Sequence, residues 1–498
     1  MRFVSLFLNN RLTIAPEHLV DDPGLKPVPF SELPFTKPPP LNTSFVFDES
    51  LQQILHGKLL LLDELPFSIE TLHEHYENGF IDYQVGVSRT KYGHNCGRCG
   101  NEKDRLFASF SCYRCKSETC TYCRNCIMMG RVSQCTPLLS WTGPKVQWSG
   151  ENKLEWDGKL SSGQNVASQR FVEQVGLDGE LLIWAVCGAG KTEVLFKGIE
   201  KALQLGLRVC IATPRTDVVL ELAPRLKKVF PHTMIASYYG GSEERELPAQ
   251  LVISTTHQLY RFKQAFNIMV VDEVDAFPYS YDTTLQHAVS RAVTPDHFLL
   301  YLSATPSRLM KKAVKNRKLS CVKIPRRFHG YPLPVPKMVW SGEWKKRLER
   351  GELPTPFVNW IREQAKSGRR AMIFVPSVSI LKKVTEIIRG MVEVPIDCVH
   401  AEDPIRKEKV EQFRAGEIQL LVSTTILERG VTVPFLDVAV FGADHNVFSE
   451  SALVQISGRA GRSKDDPNGQ VIYFHYGKSL EMVRAIKHIK EMNKEDNS

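Results

Sequence analysis

No stretch of this chain approaches the roughly 18 consecutive apolar residues of a membrane-spanning helix. The opening MRFVSLFLNN meets Arg11 and Pro16 too soon to form the apolar core of a secretory leader. These absences predict a protein that works in the cytoplasm. A large excess of one charge is also missing, since 64 Lys and Arg against 55 Asp and Glu leave +9 with His neutral. Histone-like composition is thereby excluded, and an anionic partner is permitted without being required. Cysteine is sparse except in one place: Cys187, Cys210, Cys321 and Cys398 are scattered singly, and the remaining eight of twelve fall between Cys96 and Cys135. At 498 residues and 43% hydrophobic side chains the chain has enough material for two or three ordinary domains, which rules out a small disulfide-stapled scaffold.

The cysteine cluster reads Cys96-Gly-Arg-Cys99, Cys112-Tyr-Arg-Cys115, Cys120 and Cys123-Arg-Asn-Cys126. One Cys-x2-Cys knuckle presents two thiolates to an ion, and two knuckles complete the tetrahedral sulfur shell that zinc accepts in structural sites. Disulfides are disfavoured in a cytosolic protein, and a thioredoxin-type redox motif uses one such pair rather than several. Cys96, Cys99, Cys112, Cys115, Cys123 and Cys126 are therefore the expected zinc ligands. Two pairings fit the spacing. A sequential one joins Cys96 and Cys99 to Cys112 and Cys115 across a hairpin at residues 106–111. A nested one joins them to Cys123 and Cys126, leaving Cys112, Cys115 and Cys120, with or without Cys135, for a second ion.

Eight prolines between Pro16 and Pro40 argue against long helices and for irregular chain there. Short helical stretches are expected around 51–62 and 69–76. Trp141, Trp148 and Trp156 alternate with Lys145, Lys153 and Lys159, a pattern that suits either base stacking or the pinning of the metal module onto its neighbour. From residue 165 onward, short apolar runs bounded by Gly, Thr, Pro or Asp alternate with helical patterns, as buried parallel strands do. They lie near 181–186, 208–212, 251–254, 268–271 and 298–302, and resume near 371–375, 396–399, 419–422, 438–442 and 471–476. Pro395, immediately before the run at 396–399, can only open a strand or sit at an edge. Residues 323–346, with Arg326-Arg327 and Pro332, Pro334 and Pro336, suit a linker. The fold class is α/β, two such domains in series behind a small cysteine-rich module. The expected divisions are 1–90, 91–136 for the module, 137–160 for a Trp-containing connector, 161–325 for the first α/β domain, 326–345 for the linker and 346–498 for the second domain.

The chemistry is concentrated at the ends of those strands. Ala185-Val-Cys-Gly188-Ala189-Gly190-Lys191-Thr192 follows a strand and opens a helix, and departs from the P-loop pattern only in lacking glycine at its first position. Such a loop cradles phosphates with backbone N–H groups, Lys191 reaches the outer phosphates, and the Thr192 hydroxyl ligates magnesium. Ile268-Met-Val-Val-Asp272-Glu273 delivers an acidic pair from an apolar strand, Asp272 for magnesium and Glu273 to orient or deprotonate the attacking water. Thr213-Pro214-Arg215, Ser254-Thr255-Thr256 and Ser303-Ala304-Thr305-Pro306 also end strands, where hydroxyls and amides can grip a sugar–phosphate backbone without reading bases. The second domain adds Ser423-Thr424-Thr425, Glu428-Arg429-Gly430 and Gln455-Ile-Ser-Gly458-Arg459-Ala-Gly461-Arg462, whose two arginines are placed to stabilise transferring phosphoryl charge.

Residues 161–498, with GAGKT, DEVD, SATP and QISGRAGR in order, resemble the paired RecA-like P-loop NTPase core of superfamily 2 helicases. That resemblance implies that Ala185 is tolerated and that Gln164 reads adenine. The phrases WAVCGAGKTE, VDEVDAFPY and YCRNCIMMGR further resemble the late competence ATPases of naturally transformable Gram-positive bacteria, the ComFA family. What this second resemblance implies is an ATP-driven motor that helps pull single-stranded transforming DNA inward, in a chain whose motifs also call for Mg2+ and Zn2+. It also implies association with the competence protein ComFC and the uptake machinery at the inner face of the membrane. The acidic motif is DEVD rather than DEAD, which leaves Asp272 and Glu273 intact and speaks against strict DEAD-box RNA unwinding. Two other readings compete. A replication-restart helicase resembling PriA carries its cysteines between the helicase domains, whereas these precede them. A nucleotide-binding scaffold has no chemical need for Lys191, Asp272, Glu273, Arg459 and Arg462 together.

Overall fold

In a computed structural model, the described residues are all except 9–10, 35–37, 149–151, 245–246, 429–432 and 496–498. β-Branched and aliphatic runs become short strands buried on both faces, as parallel sheets require. The chain forms two compact units, one of Met1–Trp156, Val172–Glu180 and Lys197–Tyr301, the other of Asp157–Phe171, Leu181–Phe196 and Leu302–Ser498.

In the first unit, parallel strands run in the order Ile235–Tyr238, Leu251–Thr255, Val209–Thr213, Phe266–Val271 and Val293–Ser303. Every residue of Leu251–Thr255 and of Val209–Thr213 is buried. The amino-terminal part of this unit differs from the sequence expectation. Arg2–Leu8 and Arg11–Pro16 pair as an antiparallel hairpin, with Val28–Pro29 on its other edge. The prolines do not prevent this, because Pro16 closes a strand and Pro29 sits on an edge, where a missing donor costs little. Phe3, Ile14, Phe30, Leu51, Leu72, Tyr76, Tyr83 and Leu139 form the core beneath it. The helices there are Glu49–Leu55, shorter than expected because Leu60–Leu61 turns into a strand, and Ile69–Glu77. Asp48 and Ser68 cap them by accepting from backbone N–H groups of the first turn. Residues 87–123 are two hairpins, Val87–Thr90 with Gly93–Cys96 and Phe107–Cys112 with Ser117–Cys123.

In the second unit, Gly179–Ala185 pairs in parallel with Ser320–Ile324. A six-stranded parallel sheet follows, ordered Lys337–Trp340, Val471–His475, Leu436–Phe441, Arg370–Phe374, Leu420–Ser423 and Ile396–Val399. Ile396–Val399 lies at an edge, and Pro395 immediately precedes it. Residues expected to be linker supply the opposite edge strand, Lys337–Trp340, because Pro332, Pro334 and Pro336 all precede it and remove no donor from its ladder. Phe357, Trp360, Trp344, Phe441 and Phe474 are the aromatic part of the core on this sheet.

Gly442 turns the chain out of Leu436–Phe441 at φ +70, and a Cβ there would lie 2.6 Å from Trp344 Cζ2. Trp344 is 1% exposed and held by its Nε1 donating to Asp444 Oδ1 at 3.2 Å, so it cannot yield. Gly442→Ala should therefore destabilise the protein by about 1–3 kcal/mol through overpacking and a strained backbone, read as a lower melting temperature. An unchanged melting temperature would contradict this packing.

Candidate nucleotide site and cysteine clusters

The phosphate-type loop lies in the second unit. Gly188 and Gly190 take φ +80 and +69, which turn the loop between the strand and the helix Lys191–Gln204. Gln164 is buried against it, its Nε2 donating to Ala189 O at 2.9 Å and Gly190 O at 3.1 Å. The same unit brings the arginine turn to this loop. Cys187 Sγ donates to Gln455 Oε1 at 3.0 Å, and a Cβ on Gly458 would lie 2.8 Å from that sulfur. Arg459 is 2% exposed, with Nε and Nη2 donating to Glu428 O at 2.9 and 2.6 Å, and Arg462 Nε donates to Gly458 O at 3.0 Å. Arg429 and Gly430, expected to contribute here, lie outside the described residues.

Sequence reasoning missed Arg327, which it left in a linker. Its guanidinium is buried and donates from Nη2 to Ala460 O at 2.7 Å and from Nη1 to Gly461 O. The next residue closes the link, Phe328 N donating to Gly188 O at 3.0 Å. Burial, and then the nearby Arg462 charge, push the Arg327 pKa down to about 10. The only signal in the sequence was an Arg pair among prolines.

The SATP segment is fastened to the helix Glu450–Ser457, which leads into the arginine turn. Thr305 Oγ1 and Ser451 Oγ are 2.7 Å apart, and Trp184 Nε1 donates to Ala304 O at 3.2 Å. Glu450 accepts from Lys311 at 3.1 Å and lies 3.2 Å from His488 Nδ1. The His488 hydrogen bond first, and then Lys311, hold the Glu450 carboxyl down at about 2 against the effect of burial. Ser423 Oγ turns back to Thr424 O at 2.9 Å.

The acidic pair lies in the first unit, at the carboxyl end of Phe266–Val271. Asp272 N donates to Ala212 O at 2.8 Å, and Asp272 Oδ1 accepts from Glu273 N at 2.8 Å. Glu273 takes φ +51, a left-handed conformation uncommon for a side chain of its size. Thr213 and the Ser254-Thr255-Thr256 hydroxyls end neighbouring strands of the same sheet.

The eight clustered cysteines form two sets in this unit, Cys96, Cys99, Cys123 and Cys126, and Cys112, Cys115, Cys120 and Cys135. All eight are buried, and within each set the ligand atoms lie within 4.8 Å of one another. The arrangement is the nested one. In the hairpin, Cys112 lies opposite Ser117 near the tip and Cys123 opposite Phe107 at the base. The five intervening steps span about 17 Å, too far for one coordination sphere. Cys112 and Cys115 thus cannot join Cys96 and Cys99. They meet Cys120 and Cys135 instead, because Gln134 N donates to Thr121 O and brings the returning chain back along the hairpin. Sulfur separations of 3.8 Å for Cys96 to Cys126, 3.7 Å for Cys99 to Cys123 and 3.8 Å for Cys112 to Cys135 match the edge of a tetrahedron, about 3.8 Å for a Zn–S bond of about 2.3 Å. Both thiol sets fit such an ion. Arg98, 0% exposed, donates to Met129 O at 2.8 Å, Cys126 O at 2.9 Å and Gly130 O at 2.6 Å. Hydrogen bonds from Cys123, Cys96 and Cys99, joined by the Arg98 charge, push the Cys126 thiol down. The Cys120 hydrogen bond does the same for Cys135, to about 4.

Two of the tryptophans pack against neighbouring side chains. Trp141 packs on Phe47 and Phe80, and Trp148 lies under the Arg208 guanidinium at 5.4 Å.

Three family models match the chain: the competence protein ComFA N-terminal domain over residues 42–140, the type III restriction enzyme res subunit over 157–308, and the helicase conserved C-terminal domain over 355–464. The competence protein ComFA of Bacillus subtilis (strain 168) is 52% identical over 454 residues, 91% of this chain and 97% of that protein. That of Streptococcus pneumoniae (strain ATCC BAA-255 / R6) is 38% identical over 404 residues, 79% of this chain and 92% of that protein. Among solved structures, Mss116p bound to single-stranded RNA and AMP-PNP matches with a TM-score of 0.53 at 19% identity, covering 68% of this chain and 73% of that one. The likeness establishes the fold, two tandem RecA-like helicase domains with parallel sheets.

Arg327→Leu should strand two buried carbonyls and cost about 2–3 kcal/mol, seen as a lower urea midpoint. Arg327→Lys should not restore it, since an ammonium cannot reproduce the fork. A Leu variant with the parent midpoint would contradict the role of Arg327.

Proposed function

Because the chain belongs to the ComFA family of competence proteins, we propose that it is a single-stranded DNA-stimulated translocase that draws transforming DNA into the cell. The coarser part of this reading is secure: it is a competence-associated, ATP-dependent DNA helicase-like motor, and its helicase domains imply ATP and Mg2+.

The observation that carries the proposal is the approach of the P-loop to the arginine turn through Cys187, Gln455, Gly458 and Arg327. The backbone N–H groups of Gly188 to Thr192 hold the phosphates and Lys191 binds the outer ones. Thr192 and Asp272 would hold magnesium, which neutralises charge as the phosphoryl group transfers. Glu273 orients the attacking water, and Arg459 and Arg462 fix and stabilise the far side of the site. Gln164 recognises adenine beside the loop it supports. Opening and closing around ATP converts hydrolysis into motion.

Of the hydroxyl-bearing strand ends, Thr424 and Thr425 are partly exposed and grip the DNA backbone, leaving base sequence unread, whereas Thr213, Ser254, Thr256 and Ser423 are fully buried. Both thiol sets hold zinc and so fold a module that has little apolar core of its own. Family membership supports ComFC and the uptake machinery as partners, with the motor at the inner face of the membrane. Among the described residues, no helix is long and apolar enough to cross a membrane. The PriA-like reading is not favoured, since the competence relatives span nearly their whole length in this comparison.

The test is steady-state ATP hydrolysis by the zinc-replete protein without nucleic acid and with single-stranded DNA, duplex DNA or single-stranded RNA. Selective stimulation by single-stranded DNA is expected, weakening as salt rises. Lys191→Ala should lower turnover about 100-fold or more. Stimulation by RNA alone would point to an RNA motor, and a parent protein without turnover to a scaffold.

A further inference from the structure

The module of thiols and the first helicase domain meet along the helix Thr283–Ala292, and three contacts there come from the metal knuckles themselves. Gly100, at φ +66, approaches His287 so closely that a Cβ would lie 2.6 Å from its Cδ2. Arg291 donates from Nη1 to Gly97 O at 3.0 Å and to Arg98 O, and from Nη2 to Tyr260 O at 2.5 Å. Asn125 makes the third contact. It sits between Cys123 and Cys126, and its Nδ2 donates to Cys99 Sγ at 3.6 Å and to Thr284 Oγ1 at 3.1 Å.

Thr284 is 6% exposed, and its hydroxyl is saturated. It donates its one proton to Asp282 Oδ1 at 2.7 Å, and accepts from Asn125 and from the Tyr260 hydroxyl at 2.6 Å. Asp282 also accepts from Thr284 N at 2.9 Å, capping the helix. From Asp282 the chain returns to the acidic pair by successive turns: Asp282 N donates to Pro278 O, Ser280 N to Ala276 O, and Ala276 N to Glu273 O at 2.8 Å. Hydrogen bonds from a cluster sulfur to Asp282, followed by overlapping backbone turns, thus join the cluster to the segment that positions Asp272 and Glu273.

We propose that Asn125 and Thr284 are positioning residues through which the Cys96, Cys99, Cys123 and Cys126 metal site sets the conformation of the acidic segment and hence the rate of ATP turnover. The inference rests on the zinc reading above. A hydrogen bond from an amide to a metal-bound thiolate fixes the ligand and its own donor alike. Loading the site therefore orders Asn125, Asn125 orders Thr284, and Thr284 orders the cap that ends the acidic segment. The Cys112, Cys115, Cys120 and Cys135 set, at the other end of the hairpin, has no such link among the described residues.

Thr284→Val keeps the shape and removes the hydroxyl, and Thr284→Ser keeps the hydroxyl. In full-length protein, Thr284→Val should lower kcat about tenfold, with KM for ATP little changed and zinc per chain, by elemental analysis, at the parent value. Thr284→Ser should keep the parent kcat. Amide hydrogen exchange over 276–286 should quicken in the Val variant and not in the Ser variant. Asn125→Ala should reproduce the loss, and the double variant should be no slower than either single one. The link is overturned if Thr284→Val turns over like the parent, if Thr284→Ser is equally slow, or if the two losses add. A parent chain that binds no zinc overturns the zinc reading and the link with it, whereas a zinc-loaded parent with an indifferent Thr284→Val overturns the link alone.

Discussion

The motor depends on one approach that leaves no room for a side chain. At Gly458 the backbone of the arginine turn meets Cys187 of the phosphate loop, and even a methyl group would collide with the sulfur. Arg327 maintains that approach by capping the carbonyls of Ala460 and Gly461, while its neighbour Phe328 caps Gly188. Buried carbonyls left without donors are costly, so the two segments are held together by a requirement for satisfied backbone groups as much as by apolar packing. Anything bound on the loop is then also next to the arginine turn, which is the condition for a nucleotide to be sensed by both helicase domains.

A second constraint governs the amino-terminal unit. Around the outer cluster the buried apolar material is the thiols themselves, with Phe110 packed against them. A fold with so little hydrophobic area needs another source of stability, and zinc held by two tetrahedral sulfur sets at this spacing would supply it. The two sets do different work. The inner one adjoins the helix Thr283–Ala292 and is continuous by hydrogen bonds with the segment after the acidic pair, and the outer one closes the tip of a hairpin.

The contiguous part of this organisation was legible in the sequence. The P-loop, DEVD, SATP and QISGRAGR segments each announce themselves because strand, turn and chemistry are adjacent in the chain, and the parallel strands showed as short apolar runs. Cysteine pairing was not legible, since Cys-x2-Cys spacing is the same in both arrangements and only the length of the Phe107–Cys112 and Ser117–Cys123 hairpin separates them. Arg327 and Asn125 were invisible for a related reason: Ala460 and Gly461, which Arg327 caps, and Thr284, which Asn125 meets, lie more than a hundred residues away from them in the chain. The amino-terminal hairpin was hidden by prolines that prove to sit at strand ends and edges. Lys337–Trp340 was hidden because its prolines all precede it.

The claim that most needs testing is that loop and arginine turn form one nucleotide site. Amide hydrogen exchange of the full chain, with and without magnesium ADP–beryllium fluoride, tests it directly. The account predicts simultaneous protection of residues 185–192 and 455–462. Protection confined to 185–192, with 455–462 exchanging as in the free protein, would contradict it.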